Sequence, residues 1–262
     1  NQNGIRTMIK RTVVAIVLAI ATSATLSLHA QRNTLPGLFN GNLADFQGNL
    51  DDGFTTAIPI GFDLNFFGVN FDELFINVNG NVTFLAGLGT FDPLGLSSVV
   101  TPMLAPFWAD VDVRDGNTIT YGTDMIGQRK VFGVNWFDVS GFSALSGLSP
   151  NDGKKNTFQL VLIDRSDIAD GDFDVYYRYD KIEWDVGDAT QNNASVTEKG
   201  ARTGYTNGID TFFEVPGSGE EGAFLDGGPN SLAAKGTLVL LVRNGQVTPI
   251  NEAIKDLIRK RI

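Results

Sequence analysis

Alternation of apolar and polar residues is the main pattern in this chain. It is clearest at Ile58, Ile60, Phe62, Leu64 and Phe66, where every second residue is apolar. Because successive side chains of a strand point to opposite faces, this spacing predicts a strand with one buried face. Similar runs follow at 74–78, 81–84, 105–113, 118–121, 131–139, 157–163, 173–179, 201–206, 211–215 and 237–242. Many short strands separated by turn residues predict an all-β protein with an antiparallel β-sandwich.

Two turn signals predict hairpins. Asn79-Gly80 lies between two apolar runs, and this dipeptide accepts the positive φ angles of a type I′ turn. Asp115-Gly116-Asn117 separates the strand 105–113 from a returning strand at 118–121. Pro106 lacks a backbone donor, so we expect the strand 105–113 to lie at a sheet edge or to begin near this residue.

The strand 105–113 also predicts two different faces. Ala105, Phe107, Ala109, Val111 and Val113 share the face that we expect in the core. Trp108, Asp110, Asp112 and Arg114 share the other face, which we expect to meet water or a ligand. Carboxylates on this face make it a candidate site.

The N-terminal region has a different character from the strands. Lys10 and Arg11 precede the apolar run 12–21, and small residues lead to Ala30, which predicts a secretory signal peptide over 1–30 with residues 1–7 upstream of Met8. The alternative, a membrane anchor, is disfavoured because the apolar run is about half of the roughly 20 residues that a spanning helix needs. We divide the remainder into a lead-in at 31–50, a β domain at 51–243 and a tail at 244–262.

The tail carries helical periodicity. Ile250, Ile254, Leu257, Ile258 and Ile262 recur at helical spacing, which predicts a short amphipathic helix. A helix of about three turns is too short to be stable alone. We therefore expect it to pack against the sandwich or to mediate self-association.

Charge and composition exclude several function classes. The chain has 20 basic and 30 acidic residues. Loss of Arg6, Lys10 and Arg11 with the signal peptide leaves 17 basic residues and a formal charge of −13. Nucleic acid and anionic membranes are poor partners for such a surface. His29 is the single histidine and cysteine is absent, so the mature chain has no histidine base, cysteine nucleophile, His/Cys zinc site or disulfide.

Carboxylates supply the candidate metal ligands. Asp170, Asp172 and Asp174 alternate in a way that resembles the start of a calcium loop, although Gly171 and the missing downstream Glu depart from that pattern. The alternative places Asp172 and Asp174 on the solvent face of a strand. No other cofactor is expected.

A second carboxylate pair comes from the strand 105–113. Asp110 and Asp112 could hold calcium or act as the acid/base pair of a glycan hydrolase, because residues i and i+2 of a strand lie about 6.5–7 Å apart. The alternative is a structural network with Arg114. Trp108, Trp136 and Trp184, with the tyrosines at 176–179, could form a sugar-stacking platform, but we expect at least Trp136 to be buried.

An ordered series of segments carries a family resemblance. The segments are NFFG, LFINVNGNVTF, APFWADVDVR, GNTITYG, NTFQLVLIDRS, FDVYYRYDKIEWDVGDA, ARTGYTNG and VPGSGEEGAFLDGG. Over about 51–242 the chain resembles the nidogen-like (NIDO) extracellular domain family, in the form found in secreted bacterial proteins. The resemblance implies an extracellular module associated with cell–matrix adhesion.

These observations lead to one expected function and two alternatives. We expect a secreted or cell-surface structural and adhesion protein, not an enzyme, with an extracellular protein or glycan as its partner. After signal removal no stable transmembrane segment is expected. The first alternative is a calcium-dependent carbohydrate- or protein-binding module. The second is a glycan hydrolase that uses carboxylates alone.

Overall fold

The computed structural model describes residues 42–116, 118–143 and 153–249. Its strands are β1 (Asn42–Leu43), β2 (Phe46–Gln47), β3 (Phe54–Thr55), β4 (Ile58–Phe66), β5 (Val69–Asn77), β6 (Asn81–Thr83), β7 (Met103–Trp108), β8 (Val111–Asp112), β9 (Thr118–Ile126), β10 (Arg129–Gly141), β11 (Asn156–Asp164), β12 (Phe173–Ile182), β13 (Arg202–Thr206), β14 (Phe212–Glu214), β15 (Thr237–Arg243) and β16 (Gln246–Pro249). Short helices are a 3₁₀ turn at Leu96–Ser98, α1 (Asp188–Asn192) and α2 (Leu232–Lys235). The predicted signal peptide and C-terminal helix lie outside the described residues.

The strands form two antiparallel sheets. The first sheet has the order β1-β9-β10-β11-β12-β15-β16, with β8 paired to β10. The second has the order β14-β13-β7-β6-β5-β3-β2, with β4 paired to β5. The prediction of an all-β, antiparallel sandwich is therefore confirmed. No helix in the described part of the chain is long and apolar enough to cross a membrane.

The core lies between the two sheets and is rich in aromatic residues. Phe107 of the second sheet packs against Phe158 of the first with ring centroids 5.2 Å apart, and Trp136 stacks on Phe158 at the same distance. Tyrosine and tryptophan also carry polar atoms that need partners when buried. The Tyr179 hydroxyl donates to the Pro106 carbonyl at 2.7 Å, and Trp136 Nε1 donates to the Val78 carbonyl at 3.1 Å. These hydrogen bonds fix one sheet against the other.

β4 confirms the clearest sequence pattern. Its burial alternates along Ile58–Phe66, with the apolar side chains inside and the intervening residues exposed or half-buried. The strand is an edge partner of β5, so one of its faces covers the core while the other meets solvent. Period-two alternation was therefore a sufficient signal here.

The predicted β5–β6 hairpin is present, but its turn is not of the predicted type. Asn77 pairs with Asn81, which leaves the three-residue loop Val78-Asn79-Gly80 instead of a two-residue turn. Gly80 has φ 75°, whereas Asn79 is not among the residues with positive φ. A type I′ turn needs positive φ at both central residues, so that prediction was wrong. A Cβ on Gly80 would lie 1.9 Å from the Phe107 carbonyl oxygen, so the close approach of β7 requires glycine.

The predicted hairpin between 105–113 and 118–121 is also wrong. β7 belongs to the second sheet, whereas β8 and β9 both pair with β10 in the first. The chain therefore crosses from one sheet to the other between Trp108 and Val111. Asp110 lies at this crossover.

Pro106 does not mark a sheet edge, because β7 lies between β6 and β13. The proline sits where the register of β7 and β13 shifts, so it need not donate to the ladder. Its carbonyl accepts from the hydroxyls of Thr203 and Tyr179. A bulge thus accommodates the proline inside the sheet.

Candidate metal centre

Three aspartates from two distant segments meet at one end of the sandwich. Asp51 and Asp52 lie in the turn between β2 and β3, and Asp110 lies at the crossover after β7. One carboxylate oxygen from each of the three lies within 4.8 Å of the other two. We call Asp51, Asp52 and Asp110 the acidic centre.

Local hydrogen bonds fix the turn that carries Asp51 and Asp52. The Asn49 side-chain oxygen accepts the backbone N–H groups of Asp51 at 2.8 Å and Asp52 at 2.6 Å. The Leu50 carbonyl accepts the Val113 N–H at 2.9 Å, which attaches the turn to the chain beyond the crossover. An Asn side chain that bonds its own turn is common turn chemistry. Both carboxylates are therefore held by the backbone toward Asp110.

Asn79 connects the hairpin loop to both halves of the acidic centre. Its amide nitrogen donates to Asp52 Oδ1 at 3.0 Å, and its amide oxygen accepts the Val111 N–H at 2.9 Å. Asn79 is fully buried, so both polar ends of its side chain need these partners. The side chain thereby couples the position of Asp52 to the crossover.

Burial distinguishes the acidic centre from an ordinary surface cluster. Asp110 is 2% exposed and Asp51 is 9% exposed, while Asp52 is half-buried. Asp110 Oδ2 and Asp51 Oδ1 are buried without any hydrogen-bond partner. Gly187 closes the site from the side of α1, because an added Cβ there would lie 2.5 Å from Asp110 Oδ2.

The neighbouring charges leave the centre strongly negative. Arg114 Nη2 lies 3.3 Å from Asp51 Oδ2, but the guanidinium binds chiefly to Asp112, with Nε and Nη2 donating at 2.9 and 2.6 Å. Asp92 adds a further carboxylate nearby, and its oxygens accept from the Thr190 hydroxyl and the Asn193 amide. Arg114 thus neutralises Asp112 more than it neutralises the centre.

Burial and mutual repulsion change the pKa values of the centre. Burial, followed by the charges of Asp51 and Asp52, raises the pKa of Asp110 to about 8. Burial and the charge of Asp112 raise the pKa of Asp51 to about 6. Burial also raises the pKa of Asp52, against the hydrogen bond from Asn79. Each shift means that the site disfavours negative charge when no cation is bound.

Asp110 and Asp112 do not form the single pair that the strand pattern suggested. Asp112 accepts from Arg114 through both oxygens, as the structural alternative predicted, whereas Asp110 belongs with Asp51 and Asp52. The expectation that their face meets water was wrong, because Asp112 is 5% exposed and Trp108 is 1% exposed. Both oxygens of Asp112 are occupied by the arginine, which leaves neither directed at a substrate. The geometry therefore gives no support to an acid/base role for this pair.

The predicted calcium residues Asp170, Asp172 and Asp174 have different surroundings from one another. Asp174 is bound by Arg165 Nη1 at 2.7 Å and by Arg243. Asp172 accepts the Asn244 N–H at 2.7 Å and lies 3.8 Å from Arg243 Nε. Asp170 is exposed. Calcium at these three residues stays a prediction, but arginines already compensate two of them.

The alternative that Asp172 and Asp174 occupy a solvent face was wrong. They are 1% and 4% exposed, with Arg165 and Arg243 bound to Asp174 and the Asn244 N–H bound to Asp172. The two aspartates therefore belong to a buried ion-pair network.

The sugar-stacking platform was also wrong, because all three tryptophans are in the core. Trp108, Trp136 and Trp184 are at most 3% exposed. Their indole nitrogens donate to the carbonyls of Thr90, Val78 and Val139 respectively. The burial expected for Trp136 is confirmed, and none of the three presents a face to a ligand.

Asp51 and Asp52 are the site residues that sequence reasoning missed. Asp51-Asp52-Gly53 indicates a turn, and nothing in its spacing indicates a ligand. Their proximity to Asp110 depends on two sheets being packed together. The available signal for this site was the pair of adjacent carboxylates shortly before the alternating run that begins at Ile58.

Comparisons with known proteins show the family to which the chain belongs. The family described as NIDO related matches residues 30–224. Alpha-tectorin from Mus musculus and alpha-tectorin from Homo sapiens are each 28% identical to this chain over 195 residues. These alignments cover 64% of this chain and 9% of each relative, so the chain spans less than a tenth of their length. No solved structure matches the chain significantly. Because the family match covers most of the sequence, the chain belongs to the NIDO-related family.

Proposed function

We propose that this chain is an extracellular structural or adhesion protein of the nidogen-like type. It binds an extracellular protein or glycan through the surface of its β-sandwich and does not convert a substrate. The observation that carries this proposal is the NIDO-related match over residues 30–224, which includes most of the sandwich. The nidogen-like context is extracellular, and the predicted signal peptide at 1–30 agrees with it.

Composition supports an extracellular bacterial-type member of the family. The chain contains no cysteine, and animal extracellular domains commonly rely on disulfides. The formal charge of −10 over the whole chain favours neutral or basic partner surfaces over nucleic acid or anionic lipid. We therefore expect a protein or an uncharged glycan as the partner.

The surroundings of the buried acids support recognition over catalysis. Asp112 is neutralised by Arg114, and Asp174 is neutralised by Arg165 and Arg243. A carboxylate that acts as an acid or a base must be able to exchange its proton with substrate or water. Ion-paired, buried carboxylates instead stabilise the arrangement of strands.

A secretion assay tests the location. The chain is expressed with residues 1–30 retained, and cell and medium fractions are compared with those of a variant in which Lys10, Arg11 and the apolar run 12–21 are replaced by polar residues. We expect the unaltered chain in the medium or at the cell surface, and the variant inside the cell. Equal retention of both inside the cell would contradict the extracellular proposal.

A binding screen tests the activity. Purified protein is applied to arrays of matrix proteins and glycans, first with calcium and then with a chelator, and at two salt concentrations. An unrelated acidic β-sandwich protein of similar charge serves as the control. Selective binding that persists at high salt is the expected result, because non-specific charge attraction is screened by salt.

The other outcomes of the screen separate the alternatives. Selective binding that a chelator removes would favour the calcium-dependent binding module. Absence of binding together with concentration-dependent self-association in light scattering would move the function to assembly. Turnover of an arrayed glycan, or binding no better than the control protein, would overturn the proposal.

A further inference from the structure

We propose that Asp51, Asp52 and Asp110 bind one calcium ion, which joins the turn between β2 and β3 to the crossover after β7. This proposal is independent of the proposed function, because it concerns an ion held within the sandwich and not a partner bound at its surface. The ligands come from two chain segments that the fold brings together.

The unpartnered oxygens are the first argument. Among the described residues, four buried side-chain oxygens have no hydrogen-bond partner, and Asp51 Oδ1 and Asp110 Oδ2 are two of these. Buried polar atoms normally have a partner, and a buried carboxylate needs one more than a neutral group does. Asp110 is only 2% exposed, and one of its carboxylate oxygens lies within 4.8 Å of a carboxylate oxygen of each of the other two aspartates. A bound cation would supply the missing partner for both oxygens.

The separation of the oxygens is the second argument. Calcium binds oxygen at about 2.3–2.6 Å, so two ligands on opposite sides of one ion are roughly 4.6–5.2 Å apart. The three carboxylate oxygens of the centre lie within 4.8 Å of one another. A single calcium ion can therefore contact all three without a change of backbone.

The charge balance is the third argument. Asp110 is repelled by four other carboxylates, those of Asp51, Asp52, Asp92 and Asp112. In the described part of the chain, Arg114 is the cation paired with the centre, and it contacts Asp51 through Oδ2, the oxygen that is not orphaned. Because the guanidinium is committed to Asp112, ionisation of all three aspartates creates an excess of negative charge that a divalent ion would balance.

The donor set selects the type of ion. All three ligands are carboxylate oxygens, which favour hard cations over zinc or copper. Magnesium demands near-ideal octahedral geometry at about 2.0–2.1 Å and retains several waters, whereas calcium accepts irregular sets of six to eight oxygens. The turn and the crossover constrain the aspartates from different directions, so the more adaptable ion fits better. Second carboxylate oxygens and water would complete its coordination.

The consequence of binding is a tie across one end of the sandwich. The unfolded chain does not hold Asp51 and Asp52 near Asp110, so calcium binds the folded state selectively and stabilises it. A Cβ on Gly89 would lie 2.5 Å from the Asp52 carbonyl oxygen, so the loop after β6 packs directly on the same turn. We therefore expect calcium to order both the turn and that loop.

Calorimetric titration of the full chain tests the proposal. Protein freed of metal with a chelator is titrated with calcium chloride and separately with magnesium chloride, at constant ionic strength. The variants are Asp110→Asn and Asp51→Asn, and the matched control is Asp170→Asn, which removes the same charge at an exposed position of the other acidic region. Circular dichroism and the unfolding midpoint check that each variant is folded.

The expected result is one calcium per chain in the unaltered protein and in Asp170→Asn. The dissociation constant of an extracellular module falls at about 10⁻⁴–10⁻³ M. Both variants of the centre should bind at least about 10-fold more weakly. If Asp110→Asn fails to fold, Asp51→Asn decides the outcome, since Asp51 lies in a turn at the surface of the site.

Four results would overturn the proposal. One is the absence of calcium binding at millimolar concentration in the unaltered chain. Another is an unchanged affinity for calcium in folded Asp110→Asn and Asp51→Asn. A third is a loss of calcium affinity in Asp170→Asn, which would transfer the site to the 170–174 segment. Preference for magnesium over calcium would overturn the assignment of the ion.

Discussion

The described part of the molecule contains two buried acidic regions, and their negative charge is compensated in different ways. In one, Asp172 and Asp174 face Arg165 and Arg243, so every buried carboxylate has an arginine within reach. In the other, the acidic centre gathers three aspartates and shares a single arginine with Asp112. Asp172 Oδ2 makes no hydrogen bond but lies 3.8 Å from Arg243 Nε. Arginines of the chain therefore balance the charge of the first region, whereas the second needs a cation from solution.

The comparison shows why a run of aspartates is a poor guide to a metal site. Asp170, Asp172 and Asp174 alternate in sequence, but the fold brings Arg243 to the same place from β15. Asp51 and Asp110 are far apart in sequence, and the fold brings them together without an equivalent arginine. Compensation by cations, which depends on tertiary packing, is what separates the two regions.

The largest expected effect is the pH dependence of the metal-free protein. Asp110 keeps its proton in the folded chain up to its pKa of about 8, whereas an unfolded Asp releases its proton near the ordinary pKa of 3.8. The folded state therefore holds more protons between these values, and its stability falls as pH rises, by about 1.4 kcal/mol per pH unit. From about pH 5 to pH 8 the free energy of unfolding in chelator should fall by roughly 4 kcal/mol.

Urea unfolding at a series of pH values measures this fall, and Asp110→Asn is the control. The variant should lose most of the slope between pH 6 and pH 8, because Asn does not titrate, while Asp51 and Asp185, each with a pKa of about 6, still lower the stability below pH 6. A stability that rises over the same pH range in the unaltered protein would contradict the charge imbalance of the acidic centre.

The second largest effect is expected when a cation is removed from the region of Asp172 and Asp174. Arg243→Ala leaves Asp172 without its nearest cation and Asp174 with Arg165 alone. Breaking a buried ion pair on one side costs about 3 kcal/mol or more. Denaturant unfolding should show this loss. Arg129→Ala is the matched control, because Arg129 and Asp167 form a pair with both side chains over 40% exposed, which should cost below about 1 kcal/mol. Equal effects of the two changes would contradict the importance of the buried network.

The third effect concerns the wall of the acidic centre. Gly187→Ala would place a Cβ 2.5 Å from Asp110 Oδ2, at a residue whose φ of −85° any amino acid can adopt. Overpacking of this kind costs about 2 kcal/mol. It should also displace the Asp110 carboxylate and weaken calcium binding. Thermal unfolding and calcium titration of the same variant measure both effects, and unchanged values would show that Gly187 does not position Asp110.

The smallest effect is expected at Asp185, a buried carboxylate outside both regions. Burial raises its pKa to about 6, even though its oxygen accepts the Gly222 N–H at 2.8 Å. A raised pKa favours the folded state at low pH and disfavours it above about pH 6. Asp185→Asn retains an acceptor for Gly222 and does not ionise. Removing the ionisation stabilises the folded state by up to about 3 kcal/mol at pH 8, and burial of the added amide N–H groups costs about 2 kcal/mol. In urea unfolding, Asp185→Asn should therefore be more stable than the unaltered chain by about 1 kcal/mol at pH 8 and no more stable at pH 4.

Local patterns predicted the elements better than they predicted the contacts between elements. β4 was clear because one face of an edge strand is buried, and β10 and β12 were recognised from their apolar runs. The turn at 115–117 was wrongly interpreted, since turn residues indicate that the chain changes direction but not which sheet it enters. The alternation of residues in β7 had suggested a solvent face, but both faces of this strand are buried.

The candidate site shows the same limit more sharply. The chemistry of Asp110 was anticipated, but its neighbours were assigned from sequence spacing as Asp112 and Arg114. In the structure, Asp112 and Arg114 pair with each other, and Asp110 lies next to the turn between β2 and β3. Strand spacing describes one strand, whereas a metal site is built from several.

The most direct test of this account is the change in unfolding free energy that calcium produces. Metal-free protein is unfolded in urea with chelator and again with calcium at about 100 times its dissociation constant, for the unaltered chain, Asp110→Asn and Asp170→Asn. We expect a gain of about 2.7 kcal/mol in the unaltered chain and in Asp170→Asn, and at most about 1.4 kcal/mol in Asp110→Asn, whose affinity for calcium is at least about 10-fold lower. An equal gain in all three proteins, or a gain lost only in Asp170→Asn, would contradict it.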